Sequence, residues 1–280
     1  MGIDQPIMRL VLPARPENVS LVRHTVAGLA EAAGMDDAGV ADVKAVVTEA
    51  CVNAAVHAYD EGEEGPMEVL AGVDDGSFEI VVRDFGHGFR PRVDPIGGDR
   101  SLRLGLPLIA TLASEFELHG NPGGGTEMRI SLAIALDGDG AGAGSEPARV
   151  AESREDAVVS IGDADLASLI VSRILSSLGV RADLSVDKLS DAILLGDAIV
   201  GGAPEGFVDG RVQVAVADRP GAISVKVGPL REGAAQRLLD ALEVPALGAS
   251  MRKLADDVHV EAAANGEHLV FRVGELTSAE

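Results

Sequence analysis

Alternating and helix-spaced apolar positions divide the first half of the chain into strands and helices. Strands are predicted where apolar and polar residues alternate, and helices where apolar residues recur every three or four positions. The predicted strands span residues 8–12, 67–73, 78–83, 115–119 and 127–134. The predicted helices span residues 18–33, 37–58 and 105–113. This order predicts an α+β fold, a two-layer sandwich with helices on one face of a hairpin-rich antiparallel sheet.

The second of these helices carries three polar side chains in a single stripe. Within AVVTEACVNAAVHA, residues 45–58, Glu49, Asn53 and His57 are spaced four apart and share one helix face. Nearly all the other side chains are Ala, Val or Cys, so the helix is expected to be buried. A buried carboxylate or amide without a partner is unfavourable, which favours a stripe that faces a pocket. Taken singly, each of the three is better explained as a core residue satisfied by neighbouring backbone, and it is their common register that favours the pocket.

The chemistry of the stripe suits metal binding and proton transfer. A carboxylate and an amide one helical turn apart can bind a divalent cation directly or through water. A carboxylate in a partly dry pocket can also act as a general base.

Two glycine-rich segments adjoin the predicted strands. DFGHGF begins at Asp84, which can accept a hydrogen bond from an exocyclic amine, while Gly86 and Gly88 let the backbone approach a flat ring. GGGT, residues 123–126, precedes the last strand, and Gly105 opens a helix. Glycine-rich loops and helix N-termini hold phosphates. Each segment also has a plain structural alternative, as a turn, a loose hairpin or a tight helix start.

Composition narrows the class of function. The net charge of −22 argues against direct binding to nucleic acid and favours a basic protein partner. Cys51 is the only cysteine, so an intramolecular disulfide is excluded, and a cytoplasmic location is expected. No apolar run approaches membrane-spanning length, and no signal segment is evident, so no membrane association is expected.

In combination, the segments resemble the GHKL ATPase superfamily, and within it most closely the serine-kinase anti-sigma factors. The resemblance covers about residues 8–134. It is carried by the helix TEACVNAAVHAY with Glu49, Asn53 and His57, by RDFGHGF with Asp84, Gly86 and Gly88, and by the pairs Gly105-Leu106 and Gly125-Thr126.

The resemblance implies an ATP site. Asp84 would read the adenine amine with support from Thr126, and Asn53 would hold Mg²⁺ bridging the phosphates. Residues 90–103 would form a lid. The remaining nucleotide-contacting positions would be His57, Gly86, Gly88, Gly105, Leu106 and Gly125. His57 alternatively serves only packing or hydrogen bonding. The family's usual glycine two positions before Gly105 is Arg103 here, which leaves open whether Arg103 contacts phosphate or narrows the loop.

By the same resemblance, Glu49 would orient or deprotonate the attacking serine hydroxyl of an anti-anti-sigma (STAS-type) protein. The implied activity is an ATP-dependent serine-protein kinase that sequesters a sigma factor or related regulator and phosphorylates its antagonist. The alternative is an ATP-binding regulatory module that holds its protein partner without phosphoryl transfer.

The second half of the sequence repeats the order of elements of the first. GRVQVAVADRPGAISVKV aligns with GPMEVLAGVDDGSFEIVV, and the turn falls at the same place. In this register Leu195 replaces Glu49, Ile199 replaces Asn53 and Pro229 replaces Asp84, so Mg-ATP binding is not expected there. The predicted organisation is a GHKL domain at 6–135, a flexible linker at 136–155 and a degenerate GHKL-like domain at 156–276. Alternatively, any α+β domain with similar element lengths would align as well. A homodimer and an intramolecular pseudo-dimer both remain open.

Overall fold

A computed structural model of the chain describes residues 7–60, 62–88, 105–120, 124–134, 157–162, 164–202, 204–243 and 251–275. These residues form two compact units, 7–134 and 157–275. The expected lid at 90–103, which includes Arg103, and the expected linker at 136–155 lie outside the described residues. The exact domain boundaries stay predictions. No helix within the described ranges is both long and apolar enough to span a bilayer.

The first unit has the predicted α+β arrangement. Its elements are β1 (Met8–Pro13), α1 (Pro16–Ala32), α2 (Asp37–His57), β2 (Pro66–Asp74), β3 (Ser77–Asp84), α3 (Gly105–Leu112), β4 (Glu115–Gly120) and β5 (Thr126–Ala133). The strands pair in antiparallel fashion in the order β4-β5-β3-β2-β1. The two-residue turn between β2 and β3 has left-handed backbone at Asp75 (φ 43°) and Gly76 (φ 79°), as a tight hairpin requires.

Local signals in the sequence set the limits and the buried face of α2. Asp36 caps the helix, since its Oδ1 accepts a hydrogen bond from the backbone N–H of Gly39 at 2.8 Å. Among the apolar positions that recur every three or four residues, Val43 and Val47 are fully buried. Val56 is 51% exposed, so the expectation of a helix buried all round is wrong for its last turns.

A charged network joins four strands of the first unit. Glu68 on β2 is only 3% exposed, and its carboxylate forms ion pairs with Arg9 on β1 and Arg83 on β3. Arg83 also pairs with Glu127 on β5, which in turn pairs with Arg129. Two opposite charges therefore neutralise the buried Glu68 carboxylate, which otherwise would be strongly unfavourable in this position.

The second unit has the same order of elements. They are β6 (Ala157–Ile161), α4 (Ala164–Arg181), α5 (Val186–Gly202), β7 (Val212–Arg219), β8 (Ala222–Leu230), α6 (Ala234–Glu243), β9 (Asp257–Ala263) and β10 (Gly266–Gly274). Its strands pair in the order β9-β10-β8-β7-β6, which is the order of the first unit. The registers also agree: Ile80 lies opposite Ile130 in the first unit, and Val225 lies opposite Phe271 in the second.

Candidate functional site

Asp84, the last residue of β3, is the best-defined polar group of the candidate site. The residue is 4% exposed. Its Oδ1 accepts hydrogen bonds from the backbone N–H groups of Gly86 at 3.1 Å and of Thr126 at 3.0 Å. The Thr126 side chain hydrogen bonds to the same carboxyl group. These donors fix the orientation of the carboxylate at the edge of the sheet.

Burial also changes the acidity of this group. Removal from water raises the pKa of Asp84 above its ordinary value, and the three hydrogen bonds from Gly86 and Thr126 oppose that shift. A carboxylate in such surroundings is a strong acceptor for a donor on a bound ring, because little water competes for it.

The glycines around Asp84 allow three backbone segments to meet. A Cβ atom on Gly86 would lie 1.8 Å from the carbonyl oxygen of Ala58, and one on Gly125 would lie 2.1 Å from that of Asp84. Gly125 also has φ +88°, and Gly88 has φ +76°. No side chain fits at Gly86 or Gly125 without displacing backbone. The end of α2, the turn after β3 and the start of β5 are therefore held in close contact.

The polar stripe of α2 is present as predicted, with graded burial. Glu49 and Asn53 are half-buried, and His57 is exposed at the end of the helix. The Nδ2 atom of Asn53 is buried and makes no hydrogen bond within the part of the chain that the structure describes. Glu49 forms no hydrogen bond or ion pair with any described residue. Neither the Nδ2 group of Asn53 nor the Glu49 carboxylate therefore stabilises the fold through a polar contact with another described residue.

The free amide and carboxylate fit a site for a hydrated dication. An unpaired buried amide N–H is unfavourable by about 1–3 kcal/mol, so its presence on α2 favours a ligand that carries an acceptor oxygen. Mg²⁺ prefers oxygen ligands and is held in proteins by one or two side chains together with phosphate and water. The Asn53 amide oxygen, with Glu49 one turn away, matches that donor set.

Tyr59 is a part of the site that the sequence reasoning missed. Its hydroxyl donates to the carbonyl of Pro66 at 2.7 Å and accepts from the backbone N–H of Phe85 at 3.1 Å. Tyr59 thus ties the segment after α2 to the segment after β3. The available signal was that this residue is the only tyrosine in the chain and follows α2 directly.

Some of the residues expected at the site are in direct contact with one another, and the others lie around this group. Direct contacts join Asp84 and Gly88 to the start of β5 at Gly125 and Thr126. The α2 stripe meets this group at the end of the helix, where the backbone N–H of His87 donates to the carbonyl of Ala58 at 2.9 Å. The two remaining expected residues are Gly105 and Leu106. They lie at the N-terminus of α3, and this helix packs against α2.

Comparison with known proteins matches this chain to one domain family and to one class of protein kinase. The profile of the histidine kinase-like ATPase domain family matches residues 12–132. A serine-protein kinase RsbW of Halalkalibacterium halodurans is 36% identical, over 44% of this chain and 82% of its own length. The serine-protein kinase RsbW of Bacillus subtilis is 31% identical, over 41% of this chain and 79% of its own length. The second unit lies outside the profile match.

Among solved structures, the crystal structure of the RsbU and RsbW domains of a Mycobacterium tuberculosis protein aligns with 97% of this chain and 88% of its own. The sequence identity is 10% and the TM-score is 0.30, a likeness too weak to support an argument.

Proposed function

Because the chain belongs to the GHKL family of histidine kinase-like ATPase domains, in the branch of the RsbW serine-protein kinases, we propose that its first unit binds ATP with Mg²⁺ and phosphorylates a protein on serine or threonine. The single observation that carries the proposal is the buried, backbone-oriented carboxylate of Asp84 beside glycines that leave no room for a side chain. Such a carboxylate can read an exocyclic amine, while bare backbone accepts a flat ring.

Each residue of the site has a distinct role in this proposal. Asp84 accepts the adenine amine, and Thr126 holds Asp84 in place. Asn53 would hold Mg²⁺, and this ion would neutralise negative charge on the phosphates. Gly86, Gly88 and Gly125 shape the base pocket, and Gly105 and Leu106 present the N-terminus of α3 to phosphate. His57, which is exposed at the end of α2, contacts the nucleotide in this proposal.

Glu49 is the proposed general base. The serine hydroxyl of the protein substrate donates its proton to the Glu49 carboxylate as its oxygen bonds to the γ-phosphorus. The bond from phosphorus to the ADP oxygen breaks in the same displacement, and ADP leaves with the electron pair. Catalysis of this kind is mostly positioning and charge neutralisation, so Glu49 must be free of other partners, as it is among the described residues.

The proposed substrate and partners are those that the family resemblance implies. We propose that the protein sequesters a sigma factor or related regulator in the cytoplasm and phosphorylates a STAS-type anti-anti-sigma antagonist. The net charge of −22 supports a basic protein partner and argues against direct contact with nucleic acid.

Two measurements on the full chain test nucleotide binding and transfer separately. ATP with Mg²⁺ should raise the melting temperature, and Asp84→Asn should abolish that rise, whereas Asp74→Asn at the far end of β2 should leave it intact. Labelled ATP should transfer phosphate to a serine of a candidate antagonist. Glu49→Gln should stop the transfer and preserve the rise in melting temperature. An unchanged melting temperature with ATP and Mg²⁺ would overturn the whole proposal.

A non-catalytic ATP-binding module is the second candidate. It is favoured by the size of the chain, because more than half of it lies outside the alignment with the kinases. Protection by ATP without transfer to any serine or threonine would select this alternative.

We also propose that the second unit is a degenerate copy of the first. Shared strand order and register support the proposal, as does a left-handed glycine after the third strand, Gly88 (φ 76°) in one unit and Gly233 (φ 73°) in the other. The positions that match Glu49 and Asn53 are Leu195 and Ile199, both fully buried. The full chain should bind one ATP per chain by calorimetry, and two would contradict the degeneracy. Sedimentation would distinguish a homodimer from a monomeric pseudo-dimer.

A further inference from the structure

A second cluster of polar side chains lies beside the candidate nucleotide site, where the segment after α2 meets the segment after β3. It consists of Asp60, Glu63 and His87, all of them exposed. One ligand atom from each side chain lies within 4.8 Å of the others. None of the three has a role in the proposed phosphoryl transfer.

The two carboxylates converge on the same nitrogen of the imidazole. Oδ2 of Asp60 is 3.0 Å from Nε2 of His87, and Oε2 of Glu63 is 3.6 Å from that same atom. Ligands of a tetrahedral Zn²⁺ with bonds of about 2.0–2.1 Å stand roughly 3.3 Å apart. Both distances are close to this spacing. A divalent cation at the meeting point of these three atoms would neutralise the charge of both carboxylates.

Other histidines of the chain show how an ordinary surface arrangement differs. His259 also has two acidic neighbours, but Asp257 approaches Nδ1 and Glu261 approaches Nε2, on different edges of the ring. His119 has one recorded carboxylate partner, Glu117, at 3.0 Å. Neither arrangement brings two carboxylates to one nitrogen, so neither offers three converging ligands to a single ion.

The backbone around the cluster is fixed by contacts that do not involve its side chains. The His87 N–H donates to the Ala58 carbonyl at 2.9 Å. The Tyr59 hydroxyl bridges the same two segments. A donor set whose backbone is already in place loses less conformational freedom when an ion binds.

We propose that Asp60, Glu63 and His87 form a binding site for a divalent first-row transition metal of the Zn²⁺ class. One imidazole with two carboxylates suits such an ion, whereas Mg²⁺ prefers oxygen ligands in an octahedral arrangement. The bound ion links the segment after α2 to the turn that carries Gly86 and Gly88. It therefore stiffens the turn next to Asp84 from outside the nucleotide pocket.

Titration of the untagged full chain with Zn²⁺, in the absence of nucleotide and of Mg²⁺, tests the site. One equivalent should bind, and His87→Gln should weaken binding by at least about tenfold, since even loss of a second-shell partner has roughly that effect. His119→Gln and His259→Gln serve as matched controls and should bind Zn²⁺ like the parent chain. Co²⁺ should give visible absorption bands that His87→Gln removes.

Asp60→Asn and Glu63→Gln provide a second check on the same ion. Each should weaken Zn²⁺ binding while leaving the melting temperature of the metal-free chain unchanged, because both side chains are exposed. The proposal is overturned if His87→Gln binds Zn²⁺ as tightly as the parent chain. It is equally overturned if His119→Gln or His259→Gln loses as much affinity as His87→Gln.

Discussion

Gly125 and Gly124 are adjacent glycines with the same backbone handedness and different surroundings. Gly125 has φ +88° and Gly124 has φ +94°. A Cβ atom on Gly125 would lie 2.1 Å from the Asp84 carbonyl oxygen, whereas one on Gly124 would have the Gly86 carbonyl oxygen at 3.5 Å as its nearest neighbour. Replacement of each by alanine therefore separates backbone strain from steric overlap.

The expected magnitudes follow from these two terms. Alanine in left-handed backbone is less stable than glycine by about 1–2 kcal/mol. An added methyl group that must displace tightly packed atoms lowers the free energy of unfolding by a further amount of about 1–3 kcal/mol. Gly124→Ala should therefore lower the free energy of unfolding of the first unit by about 1–2 kcal/mol, and Gly125→Ala by about 2–5 kcal/mol.

Tyrosine fluorescence during urea unfolding can measure the difference. Tyr59 is the only tyrosine, the chain has no tryptophan, and this residue lies in the first unit, so the signal reports that unit alone. The overlap at Gly125 involves Asp84, so Gly125→Ala should also lose ATP protection, while Gly124→Ala should retain it. Equal losses of stability for the two variants, or ATP protection retained by Gly125→Ala, would refute the reasoning.

Three further outcomes are expected. Glu68→Gln should destabilise the first unit by about 1–3 kcal/mol in the same urea assay, because it removes the buried carboxylate that Arg9 and Arg83 share, while Arg83 keeps its pair with Glu127. Glu64→Gln, which breaks an exposed pair with Arg15, should change stability by less than about 1 kcal/mol. Burial raises the pKa of the Cys51 thiol to about 12, so thiol reagents should modify it at neutral pH only after urea unfolding; rapid labelling of the folded chain would contradict this. The pKa of Asp84 is higher in the folded chain than in the unfolded chain. At pH values between these two pKa values the folded chain binds more protons, so the free energy of unfolding decreases as the pH rises through that range. Asp84→Asn should remove this dependence in urea titrations at several pH values, and a parent chain with the same pH profile as the variant would argue against it.

The elements of the first unit could be predicted from the sequence because their signals are local. Periodicity placed β3 within one residue at each end, and the Asp-Gly turn before it follows from the backbone preferences of two residues. The burial of Glu68 could not be predicted in this way. Alternation assigns Glu68 to a polar position, and only its pairing with arginines from two neighbouring strands makes a buried carboxylate stable there.

The candidate site likewise has a part that could be predicted from the sequence and a part that could not. The sequence singles out Asp84 and its glycines by residue type, because few other residues supply a strong acceptor or permit a close approach of backbone. Their contact with the end of α2 was not foreseen, since it depends on the Ala58 carbonyl, which any residue would supply at that position. Every residue has the same main-chain carbonyl, so the sequence does not indicate which carbonyl makes a contact. Such contacts are seen only in the three-dimensional structure.

The second unit separates what the fold requires from what the chemistry requires. At the position of Gly125 it has Gly266, whose Cβ would lie 2.6 Å from the Leu230 carbonyl oxygen. At the position of Thr126 it has Glu267, which accepts hydrogen bonds from the backbone N–H groups of Gly233 and Ala235. A glycine is thus retained where the strands approach closely, whereas the polar group beside it caps α6 instead of supporting an aspartate. The close approach of backbone occurs with this strand order in both units, whereas the first unit alone has an aspartate, Asp84, buried beside it.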